Sequence, residues 1–141
     1  MLSMASIIKE IRVGASVADV WDALRDFGAV HLRVLPGFVA ECETEGNDRV
    51  VTFSSGVVLR ERLVTLDDVR RRFVYAVVES PLDLVHHQGS VEAVEVPGEN
   101  GCRVVWTTDF LPEEFAPIVE SLMSEGAAAM ERTFAGAGSR A

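Results

Sequence analysis

The fold is decided by residues 112–136, which read PEEFAPIVESLMSEGAAAMERTFAG. A proline and two glutamates stand at the start, where a helix tolerates a missing amide hydrogen and its dipole favours negative charge. Gly136 and Gly138 are typical of a helix end. The stretch therefore predicts a C-terminal helix of about six or seven turns from Pro112 to about Gly136.

This predicted helix has one apolar face, because apolar and small residues recur at steps of three and four while the glutamates fall mainly elsewhere. The middle of the face, Gly126 to Ala129, carries only small side chains. A sheet that curves around it either approaches very closely or leaves a space. The face consists of Phe115, Val119, Leu122, Gly126, Ala129 and Thr133, flanked by Ile118, Met123, Met130 and Phe134.

The residues before Pro112 predict a sheet that holds this helix. Alternating apolar and polar residues indicate a first strand at 7–13, and Ser16 then caps a helix of about eleven residues. Residues 28–37 indicate an irregular segment with at most one helical turn. Six further strands are expected at 38–45, 49–53, 57–65, 70–78, 86–96 and 102–110, joined as a meander by turn-forming residues. The predicted fold class is α+β, with a seven-stranded antiparallel sheet wrapped around the C-terminal helix.

In the strand at 38–45, alternation places Phe38, Ala40 and Cys42 on the inner face. Val39 and Glu41 are then expected on the solvent face.

The bulk properties favour one soluble domain that spans residues 1–141. The chain has 141 residues, of which 48% are hydrophobic, and this is enough for a sizeable core. A formal net charge of −9 disfavours binding to nucleic acid or to an anionic membrane surface. No apolar run approaches the roughly 18 residues of a membrane span, so no stable membrane insertion is expected. The first residues lack the pattern of a secretory signal, which predicts a cytoplasmic protein. We expect it to be a monomer or a homodimer.

Cys42 and Cys102 lie far apart in the sequence and predict buried, reduced thiols. The chain shows no spacing typical of metal ligands and no phosphate loop, nucleophile elbow or dinucleotide fingerprint. We therefore expect neither a metal nor another cofactor, and small molecules are the expected partners.

The first candidate site residues are Arg49 and Glu61. If Ser54–Gly56 forms a three-residue hairpin loop, Arg49 and Glu61 become cross-strand neighbours on the inner face, among apolar side chains. Burying either charge alone would cost several kcal/mol, which explains why both occur together. Three roles stay open for them: a structural pair, a polar anchor for a ligand, or direct catalysis.

Further candidates follow from the same alternation. His87 should face inward and His86 outward, and His87 is either a core residue or a proton relay with Glu61. His31 lies near the mouth of a pocket only if segment 28–37 folds over it, and is otherwise a surface residue. The full set of predicted ligand-binding residues is Arg49, Phe53, Leu59, Glu61, Tyr75, His87, Trp106, Leu122, Met123 and Gly126. Tyr75 and Trp106 are favoured contacts because each carries a polar atom that needs a partner when buried.

Several short motifs, in their order and spacing, resemble the polyketide cyclase/dehydrase branch of the START-like (SRPBCC, birch-pollen-allergen) superfamily. They are Val20-Trp21, Gly56, Glu61-Arg62-Leu63, Asp67-Asp68, Tyr75, Ser80-Pro81-Leu82, Trp106, Phe110 and Pro112. The resemblance covers nearly the whole chain. It implies a helix-grip fold with a deep apolar cavity between the sheet and the C-terminal helix. It does not select a function, because the superfamily contains lipid carriers, hormone receptors, cyclases, hydroxylase domains and chaperone regulators.

A more distant resemblance is to the plant abscisic-acid receptors. There the positions that match Arg49, Glu61, Tyr75 and His87 line the hormone pocket. The loop that matches Ser54–Gly56 is longer in those receptors and acts as a gate, so the short loop here argues against gating of that kind.

Three functions are compatible with the sequence. The first is binding of a small hydrophobic or aromatic ligand, such as a lipid or a polyketide, in the cavity. The second is a polyketide aromatase/cyclase or dehydrase in which Glu61 or His87 acts as acid or base. The third is a protein-interaction module whose cavity is vestigial.

Overall fold

A computed structural model describes residues 3–135 as a sheet and three helices. The strands are β1 (Ala5–Val13), β2 (Val39–Glu45), β3 (Asp48–Phe53), β4 (Val58–Asp67), β5 (Arg72–Glu79), β6 (His86–Glu95) and β7 (Cys102–Leu111). The helices are α1 (Val17–Leu24), α2 (Val30–Arg33) and α3 (Ala116–Thr133), with 3-10 turns at Phe27–Ala29 and Glu113–Phe115.

The seven strands form one antiparallel sheet in the order β1-β7-β6-β5-β4-β3-β2. This confirms the predicted α+β fold, with the short helices between the first two strands and the long helix at the C-terminal end. The helix α3 buries Val119, Met123, Gly126, Ala129 and Met130, which belong to its predicted apolar face or flank it. The sheet and this helix therefore enclose the interior between them.

The long helix begins later than predicted. Residues 113–115 form a 3-10 turn, and α3 starts at Ala116 with Pro117 in its first turn. A helix that started at Pro112 would need an amide hydrogen from Pro117 in its interior, and proline has none. The helix therefore has 18 residues, about five turns. Gly136 and Gly138, the predicted end, lie outside the described residues.

The predicted faces of β2 are wrong at its start. Val39, expected on the solvent face, is only 2% exposed, whereas Ala40, expected inside, is exposed. The register against β3 shifts between Val39 and Glu41, as in a β-bulge. One extra residue reverses the alternation, because successive side chains of a strand point to opposite faces.

The helix α1 is shorter than predicted, with eight residues. Ser16 caps it as predicted, since its hydroxyl accepts a hydrogen bond from the Asp19 amide. Its C-terminal end is held against the β4–β5 turn by two hydrogen bonds. Trp21 Nε1 donates to Asp68 Oδ1 at 2.9 Å, and Arg25 Nε donates to the same atom at 2.8 Å. The bonds from Arg25 and Trp21 lower the pKa of Asp68.

Neither cysteine side chain is fully exposed to solvent. Cys102 is buried and Cys42 is half-buried, and both are free. Burial raises the pKa of each thiol. Within residues 3–135, none of the helices combines the length and apolar character that a bilayer crossing requires.

Asp48 is a buried carboxylate at the start of β3, 5% exposed. It accepts hydrogen bonds from Arg60 Nε and Arg62 Nε, each at 2.8 Å. The bonds from Arg62 and Arg60 lower the pKa of Asp48 from its ordinary 3.8 to about 2. In the unfolded chain this carboxylate takes up its proton at higher pH than in the folded protein, so the folded state loses stability as pH falls between these two values.

We expect Asp48→Asn to remove this part of the pH dependence. The variant is less stable than the wild type at neutral pH, and its unfolding free energy falls less between pH 3.8 and 2. Urea unfolding at a series of pH values measures both. Glu114→Gln, at an exposed position, is the control. Equal acid sensitivity in wild type and Asp48→Asn would contradict the assignment.

Candidate functional site

The β3–β4 hairpin places the central charged pair as predicted. Arg49 lies opposite Glu61, and Val51 lies opposite Leu59. The loop closes with a hydrogen bond from the Gly56 amide to the Phe53 carbonyl at 2.9 Å. Gly56 has φ +94°, a conformation that glycine adopts without a steric penalty.

Arg49 and Glu61 are both 6% exposed. Arg49 Nε donates to Glu61 Oε1 at 2.8 Å, and Arg49 Nη1 donates to the Phe27 carbonyl at 2.9 Å. The guanidinium carbon lies 3.9 Å from the centroid of the Phe27 ring and 5.9 Å from that of Tyr75. A cation over an aromatic face is attracted by the ring quadrupole. Arg49 is thus fixed by a carboxylate, a carbonyl and two rings.

Two cavities lie in the interior beside this pair. The larger, of about 170 Å³, lies against α3, and the smaller, of about 60 Å³, lies against α2 and the end of α1. Four aromatic side chains and Glu61 line both of them. The aromatic side chains are Phe38, Phe53, Tyr75 and Trp106.

Most of the predicted binding residues converge on the larger cavity. It is lined by Phe53, Leu59, Glu61, Tyr75, His87, Trp106, Leu122 and Met123. Arg49 lines only the smaller cavity, and Gly126 lines neither. A Cβ atom at Gly126 would lie 2.9 Å from Trp106 Cζ3, so this glycine gives the Trp106 ring room against the helix. The small middle of the helix face therefore approaches the sheet closely, and the space lies beside it.

Tyr75 and Trp106 are each other's polar partners. Trp106 Nε1 donates to the Tyr75 hydroxyl at 2.9 Å. The indole nitrogen can only donate, so the tyrosine oxygen is the acceptor and its own hydrogen remains for another acceptor. Burial raises the pKa of Tyr75 to about 12, and the charge of Glu61 adds to this. The phenol is therefore neutral at physiological pH.

This bond crosses a strand, because Tyr75 is on β5 and Trp106 is on β7. Gly89 of β6 lies between them, paired with Tyr75 on one side and with Thr108 on the other. A Cβ at Gly89 would lie 2.4 Å from the Tyr75 hydroxyl oxygen. The missing side chain thus makes room for the tyrosine ring over β6. The sequence places Gly89 on the inner face but gives no sign of this role.

His87 lines the larger cavity, and His86 is exposed, as their phases predict. The His87 Nδ1 atom is buried without a hydrogen-bond partner within the part of the chain that the structure describes. Burial, and then the neighbouring charge of His86, lowers the pKa of His87 from 6.5 to about 4. The imidazole is therefore neutral at physiological pH.

Several lining residues are absent from the predicted set. Thr108 of β7 lines the larger cavity together with Ser80, Pro81 and Leu82 of the β5–β6 connection. Thr108 has a signal in the sequence, since it alternates in phase with Trp106 on the last strand. The connection shows no periodicity that fixes its direction, and its only signal is the Ser80-Pro81-Leu82 motif of the family resemblance.

The segment 28–37 folds over the smaller cavity and contributes Val30, Val34 and Leu35 to it. His31 is half-buried and lines neither cavity. Its Nδ1 is also buried without a partner among residues 3–135. Over the same residues, no group of three or more His, Cys, Asp or Glu side chains is arranged to hold a metal ion.

Comparison with known proteins gives one family. The family model described as polyketide cyclase / dehydrase and lipid transport matches residues 4–137. No curated protein sequence matches this chain.

Solved structures share the fold over most of their length. XoxI from Bacillus cereus has a TM-score of 0.82 at 20% identity, covering 92% of this chain and 95% of its own. A protein from Thermobifida fusca has a TM-score of 0.73 at 30% identity, covering 91% and 92%. Norcoclaurine synthase from Thalictrum flavum, in complex with dopamine and hydroxybenzaldehyde, has a TM-score of 0.70 at 22% identity, covering 93% and 86%.

We expect the Arg49–Glu61 pair to be strongly coupled. Arg49→Met or Glu61→Gln alone leaves the other group buried without its partner and lowers the unfolding free energy by about 3–5 kcal/mol. The double variant should be less destabilised than either single one, because it leaves no unpaired charge. Chemical unfolding of the four proteins measures this. Additive losses would show that the two side chains do not depend on each other.

We also expect His87 to resist protonation. NMR titration of the imidazole should show a neutral ring down to pH values near 4, and the signal that disappears in His87→Gln identifies it. Because the unfolded chain protonates near 6.5, the protein loses stability as pH falls from 6.5 to 4, and His87→Gln should reduce that loss. A His87 titration at its ordinary pKa would contradict the burial of this ring.

Proposed function

This chain belongs to the polyketide cyclase / dehydrase and lipid transport family, and we propose that it binds a small hydrophobic or aromatic molecule in the cavity beside α3. The observation that carries the proposal is the lining of this cavity, apolar on the helix side and partly polar on the sheet side. Ligand pockets of proteins commonly combine a mainly apolar surface with a few polar groups that orient the ligand.

The polar groups come from four neighbouring strands. Glu61 is on β4, Tyr75 on β5, His87 on β6 and Thr108 on β7. The helix opposite contributes only the apolar side chains of Ile118, Val119, Leu122 and Met123. A bound molecule therefore turns its polar substituent toward the sheet and its apolar body toward α3.

The size of the cavity favours a single ring. A dry apolar cavity of about 150 Å³ accommodates benzene, and this one measures about 170 Å³. One six-membered ring with a small polar substituent fits this space. Hydrogen-bond acceptors on the substituent suit the Tyr75 hydroxyl, and donors suit the Glu61 carboxylate.

A second candidate function is acid–base chemistry on the bound molecule. It is favoured by one observation, the presence of Glu61 and of a neutral His87 in the lining of the same cavity. Either group can accept a proton from a carbon next to a carbonyl, the step that a cyclase or dehydrase requires. Glu61→Gln, assayed under conditions in which it is shown to be folded, separates the two functions: glutamine keeps a polar group in the lining, so binding should persist, but it cannot accept the proton, so turnover should be lost.

Binding is tested by native mass spectrometry and NMR titration with a panel of phenols, benzaldehydes and alkylbenzenes. We expect dissociation constants near the micromolar range, about −8 kcal/mol. Leu122→Trp fills the cavity and should weaken binding by tenfold or more, about 1.4 kcal/mol. Val69→Trp is the control, since Val69 is 93% exposed on the β4–β5 turn.

Wild-type affinity in Leu122→Trp would place the bound molecule elsewhere. A protein that binds none of the panel would contradict the proposal itself.

A further inference from the structure

Four side chains form a wall between the two cavities, which we call the aromatic partition: Phe38, Phe53, Tyr75 and Trp106. Each of them lines both cavities. Phe38 and Phe53 meet edge to face, with ring centroids 5.1 Å apart. The Trp106–Tyr75 hydrogen bond closes the other half of the wall. The aromatic partition therefore separates two cavities that would otherwise be continuous.

Trp106 is the residue of the aromatic partition whose ring packs most closely against α3. At Gly126 a Cβ atom would lie 2.9 Å from Trp106 Cζ3 and 3.4 Å from Phe38 Cε2, so one glycine of α3 seats both rings. Trp106 itself is half-buried, whereas Tyr75 is 5% exposed and fits closely over Gly89. Truncation of Trp106 thus opens the wall and leaves the tyrosine ring supported by β6.

The space behind the partition is small but has a polar end. The inner cavity of about 60 Å³ is lined by Arg49 as well as by Glu61, and the rest of its lining is mainly aliphatic and aromatic. A cavity that holds benzene measures about 150 Å³, so this smaller space suits a short chain with a terminal hydroxyl or carbonyl group rather than a ring. Such a group would meet the guanidinium and the carboxylate of the buried pair.

From these contacts we infer that Trp106 determines the length of the ligand. This rests on the proposed binding function. With the partition closed, a ligand is confined to one ring in the outer cavity. When Trp106 is removed, the two cavities join, and an elongated molecule with an aromatic ring at one end and a hydroxyl at the other becomes the preferred ligand. Its ring lies against Leu122 and Met123, and its hydroxyl reaches Arg49 and Glu61.

The test uses a homologous series of neutral probes, from benzyl alcohol through phenylethanol and phenylpropanol to phenylhexanol, with affinities measured by NMR or calorimetry. The wild type should bind the short members and gain nothing from added methylenes. Trp106→Ala should shift the optimum by two or more methylenes, each one strengthening binding by roughly fourfold, as burial of a methylene predicts.

Two further variants make the result decisive. Trp106→Leu keeps an apolar side chain at the site and should shift the preferred chain length in the same direction by a smaller amount. This variant provides the test if Trp106→Ala does not fold. Val104→Ala is the control: Val104 is fully buried on the same strand and lines neither cavity. It should lose stability without any change in chain-length preference.

The outcomes separate this inference from the function on which it rests. If the wild type binds short probes and the Trp106 variants keep the same optimum, the partition does not set ligand length, and the binding function stands. A shift of equal size in Val104→Ala would also overturn the inference, because a general loosening of the core would explain it. If neither the wild type nor the variants bind any member of the series, both fail.

Discussion

A guanidinium and a carboxylate lie 2.8 Å apart inside the protein, on the concave face of the sheet. Either group alone would cost several kcal/mol in this apolar surrounding, so the pairing fixes the register of β3 against β4. It also fixes the segment after α1, because Arg49 donates to the Phe27 carbonyl and lies over the Phe27 ring. The two interior cavities lie directly beside this pair: Glu61 lines both, and Arg49 lines the smaller one.

The opposite wall is the helix, and its composition decides how that space is divided. Gly126 lets the Trp106 ring approach the helix, and the ring then meets Tyr75 above β6, where Gly89 leaves room. Leu122 and Met123 stand next to this contact and bound the larger cavity. The division follows from two glycines on different elements that allow two aromatic rings to meet. The larger cavity has a partly polar sheet side and an apolar helix side, which are set by its own lining residues.

The sequence predicts the strands, their order and the Arg49–Glu61 pairing, because a short loop and a period of two leave a single register. It does not predict the bulge at Ala40, since no proline or glycine marks the extra residue. The predicted start of the long helix is too early, because Pro117 would then lie in the helix interior, where its missing amide hydrogen is not tolerated. The alternation of residues also does not predict the Trp106–Tyr75 hydrogen bond, because it joins β5 to β7 across β6, where Gly89 leaves room for the tyrosine ring.

A crystal structure determined under xenon pressure shows whether the larger cavity exists, because xenon enters dry apolar cavities and is located by its scattering. The expected result is xenon in the cavity between Leu122 and Tyr75, with Arg49 and Glu61 still paired and buried beneath it. Side chains that fill this space and exclude xenon, or an Arg49–Glu61 pair exposed to bulk water, would contradict it.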